Sequence, residues 1–524
     1  MSAVPAAKPA FDPLDLKNYA LEKLPELPAG VWSKRLKLIG VPIALLVFLY
    51  FHLQWCGPIG IFDAQTKIKP ATLLYSATGL FLASLILWIT EALPNYLTSL
   101  IVIVATVLIG LMKYQDAFAQ LGQPVMILNI ASFIMASALV VTGLAKRLTL
   151  TLVLKSGLSL DKMFIVFIIL NIILGAFISA TSAKTAIMLP IFMVIAATYG
   201  ATGGDKRNGV GRNMVLQNLL YNNVGASAFL TGSAANLLAA QQLEKAGAPV
   251  LYSTWLMALL PLAIIQCVIG WWTGTRWLLP IKAEDKTPKL EGGIQRLKDE
   301  LNSLGPISKA EIRAGIIFLL VLGLWATDSI HGIRAEVVAL AGGCAVLMPA
   351  FAGLPRLGVM KWDDADIPWH MLMFSWGAYV LGAFVDSTNI VGLTMDSLFK
   401  TWGITAATPK VLVFAVMAAL FGYTTLVSES KTARTLIMFP IIIATAKSFG
   451  WDLVGFCLPM AFMINQVYVL YYNSKPANIS YLTNKYSMWE SFKFGIVQLT
   501  GSVILLVLWA QYVMPLMGFK SALW

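Results

Sequence analysis

The sequence predicts an all-α polytopic membrane protein made of two inverted repeats, with about 11 transmembrane helices and two re-entrant hairpins. Three observations predict it. First, 58% of the 524 residues are hydrophobic and only 12% charged, whereas a soluble domain carries about a quarter charged residues; the mean hydropathy is +0.75. Second, apolar runs of about 17 to 25 residues recur from Leu38 to Met514, each long enough to cross a hydrocarbon core of about 30 Å as a helix. Third, two of these runs carry the same interruption. "ISATSAKTAIMLP" (178–190) and "LVSESKTARTLIMFP" (426–440) both set Lys-Thr-Ala among small hydroxyl residues.

Charge placement orients the elements in turn. Residues 1–37 contain Pro5, Pro9, Pro13, Pro25 and Pro28 and no early apolar core; this is not the layout of a cleavable signal peptide, and the segment is expected to be a cytoplasmic N-terminal arm. Lys34, Arg35 and Lys37 precede the first span, about 38–56, and place the N-terminus inside. Residues 38–70 make up that helix and its loop. Spans follow at 71–90, 94–112 and 125–145, the last ending on Lys146 and Arg147, again inside. Residues 163–199 are broken by "SATSAKT" and lead to the basic loop of Lys206, Arg207 and Arg212. A single crossing would put that loop outside, so a re-entrant hairpin with its tip at 180–185 is expected. Irregular backbone at membrane depth is tolerated only where protein or a watery cavity satisfies it. A span at 214–245 is broken by "TGSAAN" (231–236), and another at 253–275 returns to the inner side. Residues 276–313 form a cytoplasmic linker whose "GGIQRLKDELNSLG" reads as a short amphipathic surface helix.

The linker divides a first repeat, 71–275, from a second, 314–524. "MKYQDA" (112–117) recurs as "MKWDDA" (360–365), and Lys-Thr-Ala at 184–186 recurs at 431–433, offsets of 248 and 247. An odd number of crossings between the copies makes the repeats inverted and the C-terminus periplasmic. Inverted repeats with discontinuous segments are the sequence mark of secondary transporters, whose sites lie near the midplane where broken helices meet. The breaks pair: Ser182–Thr185 with Ser428–Thr432, and "GSAAN" (232–236) with "NSKPAN" (473–478).

Composition also excludes. The net charge of +12 would suit nucleic acid, but in an apolar chain Lys and Arg mark inner loops; lipid is the expected surrounding and no nucleic acid is expected. Cys56, Cys267, Cys344 and Cys457 stand singly, and His52, His331 and His370 are scattered. No metal site, cofactor, catalytic constellation or phosphate-cradling glycine loop is legible, so neither an enzyme nor an ATP-driven pump is expected. Glu91 with Pro94 reads as a turn, and Asp363, Asp364 and Asp366 as a solvated helix entrance.

From about residue 70 to 515 the chain resembles the divalent anion/sodium symporter family, within the superfamily that includes plastid-type 2-oxoglutarate/malate translocators. The resemblance rests on "TEALPNYLTSL" (90–100), "MLPI" (188–191), "WDDADIPWHMLMF" (362–374) and "SESKTARTLIMFPI" (428–441). It implies a homodimer in which transport domains, each with two hairpins, move as elevators against a fixed scaffold. In that family each hairpin tip carries a Ser-Asn-Thr motif and each broken helix a Thr-Pro-Pro-Asn-like motif, which hold substrate carboxylates and sodium ions. Ser430, Lys431 and Thr432 fall on the second tip motif, with lysine replacing asparagine. At the first tip two registers are open: counting back from Pro190 puts Ala180, Thr181 and Ser182 on the motif, whereas the internal repeat pairs Lys184 with Lys431. Ser233 and Asn236 match part of the first broken-helix motif, and Ser474, Pro476 and Asn478 match the second loosely.

A lysine at membrane depth costs about 2.5–3.5 kcal/mol and usually faces a cavity and a partner. Lys184 and Lys431 are therefore expected to act as built-in cations in place of sodium ions, with Glu429 or a dianionic substrate as counter-charge. Snorkelling to water competes for Lys184, although the repetition weighs against it. Arg434 meets substrate or sits in water, Lys475 lies in a break or on a loop surface, and Asn236 and Asn478 contact substrate or cap broken helices. The expected substrate-binding set is Thr181, Ser182, Lys184, Thr185, Ser233, Asn236, Ser428, Ser430, Lys431, Thr432, Arg434, Ser474 and Asn478. The expected function is sodium-independent exchange of di- or tricarboxylate anions in a bacterial-type inner membrane. Sodium- or proton-coupled symport of a dicarboxylate or sulfate is the alternative within the fold, and an anion channel the alternative outside it. Succinate, malate, tartrate, 2-oxoglutarate, citrate and sulfate all satisfy the same site chemistry.

Overall fold

The computed structural model describes residues 12–23, 31–59, 72–157, 159–202, 207–350, 356–405, 407–428 and 430–523. Among them every regular element is a helix. In chain order the α-helices are α1 (Val31–His52), α2 (Thr72–Thr90), α3 (Asn95–Leu108), α4 (Tyr114–Ala119), α5 (Pro124–Val141), α6 (Leu144–Ser156), α7 (Leu160–Phe177) and α8 (Thr181–Thr198). Then follow α9 (Gly209–Ser227), α10 (Ala234–Lys245), α11 (Tyr252–Thr273), α12 (Gly293–Ser303), α13 (Lys309–Ala326), α14 (Asp328–His331) and α15 (Ala335–Leu347). The remainder are α16 (Trp369–Thr388), α17 (Ile390–Thr401), α18 (Lys410–Tyr423), α19 (Lys431–Ser448), α20 (Leu453–Met460), α21 (Lys475–Leu482) and α22 (Met488–Leu508). Among the described residues six helical segments are long and apolar enough to cross a membrane, or seven if the bent pair α16–α17 counts as one span. The protein is a multi-pass membrane protein.

The helix ends follow local chemistry. Ser308 and Glu311 form a reciprocal capping box at the start of α13, as do Ser487 and Glu490 at α22, each satisfying backbone N–H groups that a helix start leaves without partners. Small residues set the helix crossings. Where α16 crosses α3, a Cβ on Gly377 would lie 2.4 Å from Ser99 Cβ, and Ser99 Oγ donates to the Phe374 carbonyl (3.2 Å).

Most predicted spans stand where the hydropathy puts them, with differences at the joints. The first helix begins at Val31 rather than Leu38. The segment expected to stop at Lys146 continues, after Gly143 at φ 76°, into α6, and α17 was not expected as a separate helix. Both are short helices with a charged face, invisible to a search for long apolar runs. The linker helix is α12, with Leu297 fully buried on the face that meets α6 and α8. Arg147 ties α6 to the start of α13 through Glu311 (2.5 Å), and Lys146 pairs with Glu300 of α12. Glu91 sits at φ 48° in the α2–α3 turn, and the Asp364 carboxylate accepts from the Lys361 N–H at the entrance before α16 (2.7 Å).

Each half contains the same succession: two helices joined at a short break (α7–α8, α18–α19), a helix interrupted by irregular backbone (α9–α10, α20–α21), and a long helix (α11, α22). The first break falls at 178–180 rather than 180–185. Lys184 is therefore one turn inside α8.

Candidate functional site

The two hairpin turns register on one another through their helix starts. α8 begins at Thr181 with Ala180 as its cap, and α19 begins at Lys431 with Ser430 as its cap. The helix prolines, Pro190 and Pro440, keep the same offset of 250. In this register Lys431 is equivalent to Thr181, and Lys184 is equivalent to Arg434. The Lys-Thr-Ala repeat, whose offset is 247, is displaced by three residues, almost one helical turn. The pairing of Lys184 with Lys431 is therefore corrected, and the alternative count from Pro190 agrees with the helix starts.

Lys184 and Arg434 share more than position. Lys184 is fully buried, and its Nζ donates to the Asn222 carbonyl at the end of α9 (3.1 Å). Arg434 is 1% exposed. Its guanidinium donates to the carbonyls of Phe421 (2.8 Å), Met463 (3.3 Å), Gly422 (3.4 Å) and Ile464 (3.4 Å) and to Thr424 Oγ1 (2.9 Å). Both cations thus sit behind a hairpin turn and donate to backbone oxygens at the ends of neighbouring helices. The cavity beside Lys184, lined by Asn171, Asn218, Asn222 and Ser480 among others, holds about 10 Å³, room for about one water and not for an organic dianion.

Lys431 differs from both. It is half-buried, and Nζ donates to Asn465 Oδ1 (3.2 Å), leaving two of the three ammonium donors for another partner. It lies within electrostatic range of both Lys184 and Arg434. Among the described residues no carboxylate forms an ion pair with any of the three. Glu429, the expected counter-charge, lies outside the described residues.

The remaining expected residues fall into two groups. Several are committed to the fold. Asn222 Nδ2 donates to Thr185 Oγ1 (2.7 Å) and the Thr181 carbonyl (2.8 Å). Asn236 Nδ2 donates to the carbonyls of Ala226 and Phe229 (both 2.9 Å), closing the break before α10. Ser233, Ser430 and Ser474 cap α10, α19 and α21. Ser182, Ser428, Thr432 and Asn478 form the second group: their side chains hold no hydrogen bond among the described residues, Ser428 being buried and the others half-buried. Lys475 is exposed, in keeping with a loop-surface place.

Two residues that tie the hairpins to the first broken helix were not singled out from the sequence. Asn465 receives Lys431 on its oxygen and donates through Nδ2 to Asn236 Oδ1 (2.9 Å) and Ser227 Oγ (3.3 Å), so it joins the second hairpin to the broken helix of the first half. Asn222, within the first half, ties the first hairpin to α9 through Thr181, Thr185 and Lys184. The signal was present: "YNN" (221–223) and "INQ" (464–466) are polar clusters just ahead of each break.

Known proteins resemble this chain along most of its length. The family model described as the sodium:sulfate symporter transmembrane region matches residues 46–519. A membrane protein of Cupriavidus necator is 27% identical over 82% of this chain and 85% of its own length. The sodium-dependent dicarboxylate transporter SdcS of Staphylococcus aureus is 24% identical over 91% of each chain. The crystal structure of the YdaH transporter of Alcanivorax borkumensis, described as having an unusual topology, aligns with 94% of this chain and 99% of its own at 13% identity and a TM-score of 0.49.

Proposed function

This chain belongs to the sodium:sulfate symporter family, and within that family we propose that it is a sodium-independent exchanger of di- or tricarboxylate anions, its fixed side-chain cations standing in for bound sodium. The observation that carries this reading is the cluster of Lys184, Lys431 and Arg434, without a carboxylate partner among the described residues, behind and at the two hairpin turns. A buried cation demands counter-charge. Lys431, with free donors and the unpartnered Ser428 and Thr432 nearby in sequence, is the group that meets the substrate. Lys184 and Arg434 act from behind, donating to carbonyl oxygens that would otherwise be free to coordinate a metal cation. The dicarboxylate class takes support from the name of the S. aureus relative.

Charge arithmetic supports exchange over net uptake. Three cations with Glu429 ionised leave 3 − 1 = +2 at the tips, which a dianion cancels. Carrying two bare charges through a potential of 100 mV costs about 4.6 kcal/mol, and carrying the neutral loaded site costs none of it. The loaded form crosses and the empty form stays. On this reading residues 71–275 and 314–524 are the inverted repeats, and the hairpins with their broken helices move as one body against a dimeric scaffold in a bacterial-type inner membrane.

The test is reconstitution into vesicles without sodium and with the pH gradient clamped. Labelled succinate or malate should enter only when unlabelled anion is trapped inside. Sodium-coupled symport is the second reading, favoured by the sodium dependence in the relative's name; uptake that follows an inward sodium gradient and ignores internal anion would establish it instead.

A further inference from the structure

A second cavity lies along the helices that start at the candidate site. It measures about 210 Å³ and is lined by Gln242 and Lys245 of α10, Asp386 and Asn389 at the bend between α16 and α17, and Pro440 and Lys447 of α19, among others. At 1.5 Å per residue, Gln242 is about 9 Å along α10 from Asn236, and Pro440 about 14 Å along α19 from Lys431. α9 starts at the linker face, where the Gly209 N–H donates to Asp285 (3.0 Å). The cavity therefore opens at the opposite end of the molecule, where Lys245, Asp386 and Lys447 are exposed.

Its chemistry is that of a small anion site. Lys245, whose Nζ also donates to Gln120 Oε1 (3.4 Å), and Lys447 both act electrostatically on Asp386, yet none of the three forms an ion pair with another, so two cations face one loosely held carboxylate. On the cavity wall Gln242 is 8% exposed, and both its Nε2 and its Oε1 are buried without a hydrogen-bond partner among the described residues. Such a group in a native fold calls for a missing partner, and the side-chain amide can give an N–H to a carboxylate. The volume lies below the roughly 300–1,000 Å³ of pockets for drug-sized ligands and suits an anion of a few carbons. The bend is built in: Asn389 sits at φ 50°, and the two helices diverge by 58°.

We propose that this cavity is a second anion site, in which Lys245, Lys447 and the Gln242 amide hold a small carboxylate while Asp386 serves as the resident counter-charge that the anion replaces. The carboxylate class rests on the transport reading above; the attraction for anions does not. Placed between the exposed end and the hairpin turns, the site concentrates substrate ahead of the central one.

The test uses full-length protein in vesicles. Gln242→Cys, and separately Asn389→Cys at the rim, is reacted with the anionic reagent 2-sulfonatoethyl methanethiosulfonate and with neutral methyl methanethiosulfonate. Modification is read peptide by peptide, so the native cysteines stay in place. The anionic reagent should gain about fivefold or more over the neutral one. Lys245→Gln with Lys447→Gln should abolish the gain, Asp386→Asn should increase it, and millimolar succinate or citrate should slow labelling. Protection should persist when Lys431→Gln is added, which separates this site from the central one. Equal rates for the two reagents, a preference that survives loss of both lysines, or protection that disappears with Lys431→Gln would each overturn the proposal. A finding of sodium-coupled transport would change the central mechanism and leave these labelling results standing.

Discussion

Lys431→Gln separates charge from shape at the hairpin turn. The glutamine amide can still donate to Asn465 Oδ1, as the ammonium does at 3.2 Å, so the link between the halves is kept while one positive charge is lost. Unit charges about 4 Å apart at an effective dielectric of about 20 interact by about 4 kcal/mol. Part of this is recovered because the variant no longer desolvates an ammonium, which leaves an expected loss of about 2–3 kcal/mol. At 1.4 kcal/mol per tenfold, dianion affinity should fall about 30- to 150-fold. The assay is counterflow of labelled succinate or malate in sodium-free vesicles, scored as KM, beside thermal stability of the purified variant. Stability should change by a few degrees at most. An unchanged KM, or a rise in KM matched by Lys431→Arg, in which the charge remains, would refute the assignment of this ammonium to the substrate.

Four further outcomes follow from the same contacts. Arg434→Lys keeps the charge but cannot reach four carbonyls and Thr424 at once, so it should lower stability by about 3 kcal/mol, seen as a lower midpoint in thermal unfolding, and abolish counterflow. Asn465→Ala strands the Asn236 and Lys431 side chains and should cost about 2 kcal/mol, with a larger effect on counterflow than Asn478→Ala, because the Asn478 side chain holds no hydrogen bond among the described residues. Gly232→Ala would set a Cβ 2.2 Å from the Ala226 carbonyl oxygen, a backbone clash that rotamer changes cannot relieve; poor yield of folded protein by size-exclusion chromatography is expected. Replacing sodium by choline should leave wild-type exchange unchanged and, in Lys184→Asn, should separate a variant that has gained sodium dependence from one that has merely lost activity.

Much of this molecule was legible from its residues. Burial of apolar length in lipid is a one-dimensional constraint, so the spans, the interrupted segments and the amphipathic linker helix were readable from hydropathy and charge alone. The family motifs placed Ser430, Lys431 and Thr432 on a hairpin tip; in the fold Ser430 caps α19 and Lys431 and Thr432 begin it. Short helices such as α6 and α17 escaped because their apolar face is narrow and their other face charged. The register of the first hairpin was left open between two counts, for a different reason. Identical triplets suggested that Lys184 and Lys431 were equivalent, but a helix repeats every 3.6 residues, and a shift of three residues keeps nearly the same face while moving a side chain one turn deeper. The count from Pro190 offered the other register, and the helix starts at Thr181 and Lys431, which are facts of the folded chain, decide between the two. The sequence by itself determined that cations would lie at membrane depth near two matched breaks. Only the tertiary structure decided which cation each backbone carbonyl claims, because hydrogen bonds between Arg434 and Met463, or Lys184 and Asn222, join residues about 30 to 40 positions apart whose approach is set by packing.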